Sequence, residues 1–454
     1  MLFNKSFHEN RNLLSPNSRV ALVRVLLVGS GGREHALAWR ISQSPNLSKL
    51  WVAGGNAGTA ELAENFNIRS SDVDGLVAKA SEAKADLVVV GPEAPLALGL
   101  ADRLDEVGIP VFGPSQAAAQ IEASKGFALE LMKDAGVPCP DFASVQDQVG
   151  AQAYIKKHPG PLVVKADGLA AGKGVLLCED SEQASAAVKL CLSERAFGEA
   201  GETVVLEEYL SGPEVSVFAF CDGQNLSPLV AACDYKRLGD GNIGPNTGGM
   251  GSFSGPEFWT PELAAQVEQS IMRPVLQAMA QRGIPYKGVL YAGLMLTGTP
   301  SDWKPKVLEF NCRLGDPETQ VVMPLLASDP LDLMLACAKG NLNKTEVRWN
   351  DKNYVGVVMV SGGYPEDYQT GFEITGLDDD GPQDTMVFHA GTQLGESGPV
   401  TAGGRVLTVV GGGDTMEQAR DRAYSRLENI SFEGAVWRRD IGSAAHLGAA
   451  GSSK

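Results

Sequence analysis

The sequence predicts an α/β protein with a doubly wound N-terminal domain, a central module and a small C-terminal α+β domain. Its 454 residues are enough for about three domains with large buried cores. Residues 25–28 form a short apolar run that leads through a glycine-rich turn into a helical pattern, as at the start of a doubly wound domain. The glycine and prolines of residues 136–140 indicate a domain connection. From Tyr354 the pattern changes to β runs, which predicts the third domain.

The composition disfavours several classes of protein. The chain is 44% hydrophobic and 20% charged, and its net charge of −17 argues against nucleic acid or an anionic membrane as the main partner. The sequence contains no run of about 18 apolar residues, so it predicts no transmembrane helix. The seven cysteines include no CxxC pair, which disfavours a disulfide framework or a zinc site and fits a reducing compartment. We therefore expect a cytoplasmic monomer that acts on small molecules.

The two ends of the chain are expected to lie outside the domains. Residues 1–24 carry four Lys or Arg side chains and one acid, Glu9, without the apolar core of a secretory signal. A disordered N-terminal arm is the simpler interpretation, and an organellar targeting segment stays open as the alternative. Residues 443–454 are rich in Ala, Gly and Ser, which predicts a disordered tail.

Residues 29–35, Gly-Ser-Gly-Gly-Arg-Glu-His, form a candidate anion site at the first strand-to-helix turn. Backbone N–H groups at such a turn favour an anion, and Arg33 adds positive charge. A dinucleotide site is disfavoured, because Glu34 breaks the Gly-x-Gly-x-x-Gly pattern and no acid follows the second strand near residues 50–53. We expect a terminal phosphate of a small substrate here, against the alternative of a tight structural turn. Strands at 85–90 and 109–112 would bring further residues to the same edge of the sheet: Gly91, Glu93 and Gly113.

Residues 162–175 contain two apolar runs around a glycine-rich turn, which predicts a hairpin with a mobile loop. Gly174 follows Lys173 where a Walker A loop needs Ser or Thr, so the loop is of a different kind. Lys165 and Lys173 could neutralise phosphates while glycine N–H groups close over them. A glycine loop without a ligand is the alternative, which the two lysines make less favoured.

Residues 203–210 alternate between apolar residues and acids, which predicts a strand beside a hinge. One carboxylate of the pair Glu207 and Glu208 could there accept a hydrogen bond from an adenine amino group, whereas an edge strand with surface acids is the blander interpretation. Residues 241–251 form a glycine-rich stretch without periodicity, and a loop of this length is more often functional than not. Three charged residues stand at its entrance: Asp234, Lys236 and Arg237.

Residues 306–311 predict a strand with a metal-binding face. Glu309 and Asn311 are two residues apart and therefore project from the same face. A carboxylate and an amide oxygen suit a hard cation such as Mg²⁺. Arg313 continues the same parity and suggests chemistry on phosphate or carboxylate oxygens, whereas Cys312 should face the core. A solvated polar face at a strand end is the alternative.

The other segments supply the scaffold. We expect a strand at 289–296 that pairs with the metal strand, and a helix over 261–281 that tolerates Pro274. His389 has no partner pattern and is interpreted as structural. The remaining predicted elements are an interrupted helical region at 318–338, strands at 355–360, 386–389 and 406–411, and a helix at 415–427.

The order of an anion turn, a lysine-bearing glycine loop, a hinge acid and a metal strand resembles the ATP-grasp superfamily. Four segments carry the resemblance, which covers residues 25–442: 27–36, 164–174, 244–251 and 313–318, the last with Leu314 where the family usually has Phe. It implies a pre-ATP-grasp domain over residues 25–123 and a split ATP-grasp module over 124–340, with a mobile lid at about 138–210. It also implies a C-terminal domain over 345–442.

Within the superfamily, the chain is most similar to the ligases that join glycine to 5-phosphoribosylamine in purine biosynthesis. The resemblance implies that ATP phosphorylates glycine to glycyl phosphate. The amine then displaces the phosphate and gives glycinamide ribonucleotide. The resemblance also implies that Mg²⁺ or Mn²⁺ accompanies the ATP.

The resemblance further implies roles for individual residues. Glu309 and Asn311 would bind the metal, and Arg313 and Lys165 would act on the reacting groups. ATP would be held by Lys125, Lys165, Gly168, Gly172, Lys173, Gly174, Glu207, Leu210 and Glu214. Glycine and 5-phosphoribosylamine would be held by Gly31, Gly32, Arg33, Glu93, Asp234, Lys236, Arg237, Asn246, Thr247, Gly248 and Arg313. Many members of the superfamily carry another acidic ligand on the preceding strand, where residues 292–296 have none.

Three other functions stay open from the sequence alone. Another carboxylate–amine ligase would share the ATP half and differ in the N-terminal domain and in residues 234–251. A nucleotide-binding protein without activity should lack one of the site residues Glu309, Asn311, Lys165 and Arg313, and all four are present. An NAD-dependent oxidoreductase is disfavoured by Glu34.

Overall fold

The computed structural model of the protein describes residues 22–169, 174–379 and 381–443. Within these residues the predicted α/β class is confirmed: a five-stranded parallel sheet comes first, and antiparallel sheets of four and eight strands follow. Most of the predicted N-terminal arm and nearly all of the predicted C-terminal tail lie outside the described residues, as do Gly172 and Lys173 of the glycine loop.

The N-terminal part is a five-stranded parallel sheet of order β3-β2-β1-β4-β5. β1 and β4 are almost continuously apolar and buried, as expected for parallel strands covered on both faces. β1 starts two residues earlier than predicted, so Val23 and Arg24 belong to it and not to the arm; Arg24 Nε pairs with Asp86 at 2.8 Å. The elements are β1 Val23–Gly29, α1 Gly32–Ser42, β2 Leu47–Gly54, α2 Thr59–Leu62, β3 Glu64–Phe66, α3 Val73–Glu82, β4 Leu87–Val90, α4 Glu93–Ala97, α5 Leu100–Glu106, β5 Val111–Phe112 and α6 Gln116–Ala123.

A four-stranded antiparallel sheet of order β6-β9-β7-β8 follows. The predicted hairpin of β7 and β8 is confirmed, with Lys165 opposite Val175. Two helices cover the sheet and share a separate hydrophobic core with it, which includes Ile155, Val164 and Leu206. The elements are α7 Lys125–Asp134, β6 Phe142–Val145, α8 Gln148–Lys157, β7 Leu162–Ala166, β8 Val175–Cys178, α9 Ser181–Leu192 and β9 Val204–Glu208.

The central part then forms long antiparallel strands. The predicted pairing of the metal strand is confirmed, since β15 and β16 run antiparallel. The predicted loop at 241–251 is wrong in part, because β12 and β13 form a hairpin there whose turn Asn242 makes with positive φ. Pro274 has no N–H to donate within a helix. It follows a π-helical turn, Glu268–Met272, and lies in the first turn of the next helix, where proline is tolerated. The elements are β10 Glu214–Asp222, β11 Val230–Asp234, β12 Arg237–Gly239, β13 Ile243–Asn246, β14 Gly251–Ser254, α10 Pro261–Val267, α11 Arg273–Gln281, β15 Lys287–Thr299, β16 Asp302–Asn311, α12 Thr319–Val322 and α13 Pro330–Lys339.

The C-terminal part continues the central sheet instead of forming a principal sheet of its own. The eight strands have the order β16-β15-β10-β11-β14-β17-β21-β18. β14 pairs with β17 directly, so that Ser252 lies opposite Gly356. The elements are β17 Asn353–Val360, β18 Thr385–His389, β19 Thr392–Leu394, β20 Pro399–Thr401, β21 Arg405–Gly413 and α14 Met416–Leu427.

The end of β18 contacts the N-terminal glycine turn. Asn56 Nδ2 donates to the carbonyl oxygen of His389 at 2.8 Å, and the His389 N–H donates to His35 Nδ1 at 2.8 Å. Both imidazoles are buried, and burial lowers the pKa of His35 to about 3 and that of His389 to about 4. The structural interpretation of His389 agrees with these contacts. In the described part of the chain, no helix is long and apolar enough to cross a membrane.

Candidate functional site

The predicted metal strand is the end of β16. Glu309 lies opposite Gly293 of β15, and Asn311 lies opposite Tyr291. A Cβ on Gly293 would stand 3.3 Å from Glu309 Cγ, so the absence of a side chain leaves room for the carboxylate. Cys312 faces the core as expected: it is 2% exposed, and burial raises the pKa of its thiol well above the usual value. The alternation predicted from the sequence is therefore present.

Glu309 and Asn311 have side-chain oxygen atoms that are largely free of hydrogen bonds to other described residues. Among the described residues, no hydrogen bond occupies the Glu309 carboxylate, and Asn311 Oδ1 accepts one bond, from Arg313 Nη2 at 3.1 Å. No group of three His, Cys, Asp or Glu side chains suited to a metal occurs in the described ranges. A hard cation that keeps water and substrate oxygens as its other ligands fits such a pair.

A buried ion pair stands over this strand. Lys165 Nζ of β7 lies 2.7 Å from Glu207 Oε2 of β9 and donates to the carbonyl oxygen of Leu308 at 3.1 Å. Both side chains are less than a tenth exposed. Burial raises the pKa of Glu207, and Lys165 opposes the shift. The predicted nucleotide residues Lys165 and Glu207 are thus brought together beside the predicted metal residue Glu309.

Lys125 joins the same group from the start of α7. Its Nζ donates to the Gly168 carbonyl oxygen at 3.1 Å, and Asp167 Oδ1 accepts the Gly126 N–H at 2.6 Å. Burial lowers the pKa of Lys125, and the Glu309 carboxylate opposes that shift. Gly168 needs to be glycine, since a Cβ there would lie 2.8 Å from that of Ala200. The Gly168 end of the glycine loop therefore lies against Lys125. At the other described end, the Gly174 carbonyl oxygen accepts the Ala166 N–H at 2.8 Å.

Arg313 connects β16 to the N-terminal part. Its Nε donates to Glu93 Oε2 at 3.1 Å, and its Nη2 donates to Glu122 Oε1 at 2.7 Å. Glu122 also accepts the Cys312 N–H at 2.7 Å. Burial alone would raise the pKa of Glu93, but the guanidinium groups of Arg313 and Arg33 hold it below its usual value. The two carboxylates and Asn311 thus fix the Arg313 guanidinium beside the metal pair.

The predicted anion turn is partly filled by its own glutamate. Glu34 Oε2 accepts the Gly31 N–H at 2.6 Å, and Glu34 Oε1 pairs with Arg33 Nε at 2.6 Å. A Cβ on Gly91 would lie 2.1 Å from Glu34 Oε1, so this carboxylate sits in the crevice beyond β1 and β4. Arg33 is buried and also donates to the Leu314 carbonyl oxygen at 3.2 Å. An anion bound here would share the turn with Glu34.

Asp234, Lys236 and Glu214 form a third group across β10 and β11. Lys236 Nζ lies 2.6 Å from Glu214 Oε2 and 3.8 Å from Asp234 Oδ1. Asp234 is 11% exposed, whereas the other two are more than two-fifths exposed. Burial raises the pKa of Asp234 to about 7, against the opposing effect of Lys236. Leu210, the other predicted hinge residue, is buried at the end of the segment that follows β9.

The remaining predicted residues belong to the β12–β13 hairpin and the turn after it. Arg237 Nη1 donates to the Gly244 carbonyl oxygen at 2.9 Å, and Arg237 lies opposite Asn246. Thr247 Oγ1 donates to the Lys236 carbonyl oxygen at 2.9 Å. Gly248 donates its N–H to Tyr364 Oη at 2.9 Å. Arg237 thus stabilises its own hairpin, whereas the Gly248 N–H binds a residue of the C-terminal part.

Several residues of the site carry no assignment from the sequence. Asp316 and Glu318 lie in a segment quoted for the family resemblance, whereas Glu122, Tyr364 and Arg405 had no local signal. Glu318 Oε1 accepts from Ser216 Oγ at 3.0 Å and from Tyr291 Oη at 2.9 Å, which fixes the start of α12 on the face that bears Glu309. Their partners are distant in sequence, so periodicity could not identify them.

Family models match nearly the whole described chain. Residues 23–122 match the N domain of phosphoribosylglycinamide synthetase, residues 123–319 its ATP-grasp (A) domain, and residues 354–444 its C domain. The N domain covers the parallel sheet, the ATP-grasp domain covers the four-stranded sheet and the central part as far as the start of α12, and the C domain covers the C-terminal part.

Curated relatives match over the same length. A phosphoribosylamine–glycine ligase of Vibrio vulnificus is 46% identical over 422 residues, which are 92% of this chain and 98% of the relative. The enzyme of the same name from Caulobacter vibrioides is 49% identical over 420 residues, 92% of this chain and 97% of the relative.

Solved structures agree with these relatives. The crystal structure of phosphoribosylamine–glycine ligase from Thermotoga maritima has a TM-score of 0.80 and 35% identity, covering 92% of this chain and all of that one. A biotin carboxylase domain of Hydrogenobacter thermophilus, in complex with MgADP, has a TM-score of 0.71 at 17% identity, covering 95% of this chain and 94% of that one, and shows the fold alone.

The raised pKa of Asp234 predicts a measurable pH dependence of stability. Between about pH 4 and pH 7 the folded protein should hold a proton that the unfolded chain has released, so the free energy of unfolding should fall as the pH rises. In Asp234→Asn the unfolding free energy should depend less steeply on pH, by an amount that corresponds to at most about one bound proton. Chemical unfolding at several pH values measures the difference. Asp302→Asn, an exposed acid at the far end of β16, is the control, and equal slopes in both variants would remove Asp234 from this role.

Proposed function

Since the chain belongs to the phosphoribosylglycinamide synthetase family, we propose that the cleft along β16 is where it joins glycine to 5-phosphoribosylamine. The reaction consumes ATP, yields glycinamide ribonucleotide and belongs to purine biosynthesis. One observation carries the assignment of the site: Lys165 reaches β16 from one side and Glu93 reaches it from the other, with Glu309 and Asn311 between them.

The nucleotide side of the cleft comprises Lys165, Lys125, Glu207 and Glu309. The two lysines supply positive charge for the phosphates, and Glu207 is buried where it holds Lys165 in position. The glycines at both ends of the loop over residues 168–174 allow the backbone to approach phosphate oxygens closely. Glu214 and Leu210 would border the nucleoside end of the ATP.

A divalent cation completes this arrangement. Glu309 and Asn311 would hold Mg²⁺ through oxygen ligands, and the ion would neutralise negative charge on the ATP phosphates. Mn²⁺ accepts the same class of ligand and should replace it. The chain offers two protein ligands here, so water and phosphate oxygens would fill the remaining positions.

The chemistry requires an activated carboxyl group, because oxide is a very poor leaving group from a carboxylate. A glycine carboxylate oxygen attacks the γ-phosphorus of ATP, the bond to ADP breaks, and glycyl phosphate forms. The amine of 5-phosphoribosylamine then attacks the acyl carbon, phosphate leaves with that oxygen, and the amine gives up a proton. Positioning and charge suffice for both steps, so no protein nucleophile is needed.

The substrate side is placed between Arg313 and the N-terminal edge. Arg313 stands beside the metal pair and is suited to orient the glycine carboxylate or the acyl phosphate. Gly31, Gly32, Arg33 and Glu93 would face the phosphoribosylamine. Other contacts to glycine and the amine would come from Asp234, Lys236, Arg237, Asn246, Thr247 and Gly248.

The state of the thiols supports a prediction of the cellular setting. All seven cysteines are free, and six of them are buried. Thiols that remain reduced favour a reducing compartment, and we place the enzyme in the cytoplasm. A monomer with small-molecule substrates and no nucleic-acid partner stays our prediction.

The reaction can be tested by substrate-dependent release of phosphate. We expect phosphate from ATP only when glycine and 5-phosphoribosylamine are both present, with other amino acids and amines much less effective. With glycine labelled by ¹⁸O in its carboxylate, one label should appear in the phosphate and one in the product amide. Release of unlabelled phosphate, or equal turnover with another amino acid, would contradict the assignment.

Glu309→Gln tests the metal strand. The amide removes the charge that binds the cation, and a loss of about 3 kcal/mol in transition-state stabilisation corresponds to a turnover more than about 100-fold lower. Steady-state kinetics at saturating Mg²⁺ and ATP measure it, with circular dichroism to verify folding. Asp302→Asn makes the same chemical change on the same strand, at an exposed position paired with Lys304, and should keep wild-type turnover. Near-wild-type turnover in Glu309→Gln would exclude the metal role.

A further inference from the structure

Arg405 reaches from the C-terminal part to the substrate side of the cleft. It is the first residue of β21, and its side chain is 22% exposed. Its Nη1 donates to the carbonyl oxygen of Asp316 at 2.8 Å and to that of Gly248. Its Nη2 lies 3.1 Å from Asp316 Oδ2. One guanidinium therefore binds two segments that are separate in the chain, the turn after β13 and the segment before α12.

The turn at Gly248 is enclosed by these contacts. The Gly248 N–H donates to Tyr364 Oη at 2.9 Å, so both of its backbone polar groups bind the C-terminal part. A Cβ on Gly248 would stand 3.2 Å from Arg405 Cζ and 3.3 Å from Tyr364 Oη. Gly249 has a φ of +111°, and a Cβ there would lie 2.4 Å from Pro317 Cδ. The backbone of these two glycines is thus packed between Arg405, Tyr364 and Pro317.

The other side of Asp316 faces the N-terminal turn. A Cβ on Gly31 would lie 3.2 Å from Asp316 Oδ2, and Gln320 Nε2 donates to Asp316 Oδ1 at 2.9 Å. Burial would raise the pKa of Asp316, but Arg405 and Arg33 hold it below its usual value, so this carboxylate is charged. Asp316 therefore stands between a cation of the C-terminal part and the glycine turn of the N-terminal part.

We propose that Arg405 is a positioning residue for the substrate side of the cleft. It holds the Asp316 carboxylate against the Gly31 turn and the Gly248 turn against Pro317. The contacts at Lys165, Glu207 and Lys125 involve none of these groups, so the nucleotide side should be independent of Arg405. The inference rests on the proposed function, because it takes the turns at Gly31 and Gly248 to bind glycine and 5-phosphoribosylamine.

The arrangement requires a guanidinium. Three acceptors, two of them carbonyl oxygens, lie around a planar group that offers several N–H donors in fixed directions. A lysine ammonium would keep the positive charge beside Asp316 but would not reproduce the geometry of both carbonyl contacts. The conservative variant should therefore restore part of the function and not all of it.

The test compares Arg405→Met and Arg405→Lys with the wild-type protein in steady-state kinetics. In Arg405→Met, loss of charge-assisted hydrogen bonds should raise the KM of glycine or 5-phosphoribosylamine by about tenfold or more. The KM of ATP should change by less than about twofold, since that side keeps its contacts. Arg405→Lys should recover part of the loss. Calorimetric binding of glycinamide ribonucleotide should weaken in parallel with the KM.

Arg422→Met is the matched control. Arg422 also belongs to the C-terminal part, pairs with Asp384 at 3.2 Å and donates to the carbonyl oxygen of Gly412, and its side chain is 34% exposed. Among the described residues, none of its hydrogen bonds or ion pairs involves the cleft residues named above, so all three KM values should stay near wild type. If Arg405→Met does not fold, Tyr364→Phe serves as a second variant. It removes the acceptor of the Gly248 N–H and should raise the KM of glycine or 5-phosphoribosylamine to a smaller extent.

Two results would overturn the proposal. One is an unchanged KM for glycine and 5-phosphoribosylamine in the folded Arg405 variants. The other is an equal rise in the KM of ATP, which indicates a general loss of structure. If the wild-type protein itself fails to turn over glycine and 5-phosphoribosylamine, the proposed function fails, and that outcome is distinct from both.

Discussion

The guanidinium of Arg313 is the contact on which the cleft depends. It lies at the end of β16 and binds Glu93 at the N-terminal edge, Glu122 at the end of α6 and Asn311 on its own strand. Glu122 is 8% exposed, so removing the guanidinium would leave a buried carboxylate without its counter-charge, at a cost of several kcal/mol. The same contact fixes Asn311 Oδ1 and, through Glu122, the backbone of Cys312. The orientation of the metal strand and the closure of the N-terminal part against it are therefore coupled.

The opposite side of β16 is held in a similar way, by a buried ion pair. Lys165 is neutralised by Glu207 and donates to the backbone of Leu308, one residue before Glu309. Between these two sets of contacts the Glu309 carboxylate has no hydrogen bond among the described residues, although Lys125 and Lys236 are both influenced by its charge. Leaving a carboxylate without a hydrogen bond in a partly buried site is unfavourable unless a cation binds it. The cation that we propose at this site would offset that cost.

Much of the site follows from local pattern. The period of two in β16 correctly placed Glu309 and Asn311 on one face and Cys312 on the other. The two apolar runs around a glycine-rich turn correctly predicted the hairpin of β7 and β8. The pairing of β14 with β17 was not predictable, because no local signal tells which strands of two predicted domains will meet. Glu122 and Arg405 were missed for the same reason: Glu122 lies 191 residues from Arg313, and Arg405 lies 157 from Gly248. Part of the predicted loop at 241–251 is instead the second strand of the β12–β13 hairpin, because the glycines there hide the alternation of a short strand.

We propose above that Glu309 and Asn311 bind the cation that accompanies ATP. Crystals of the protein grown with Mn²⁺ and a non-hydrolysable ATP analogue would test it most directly, through an anomalous difference map at the manganese absorption edge. We expect a peak within bonding distance of a Glu309 carboxylate oxygen, of Asn311 Oδ1 and of the analogue's phosphate oxygens. A well-ordered analogue with its manganese bound to neither residue would contradict it.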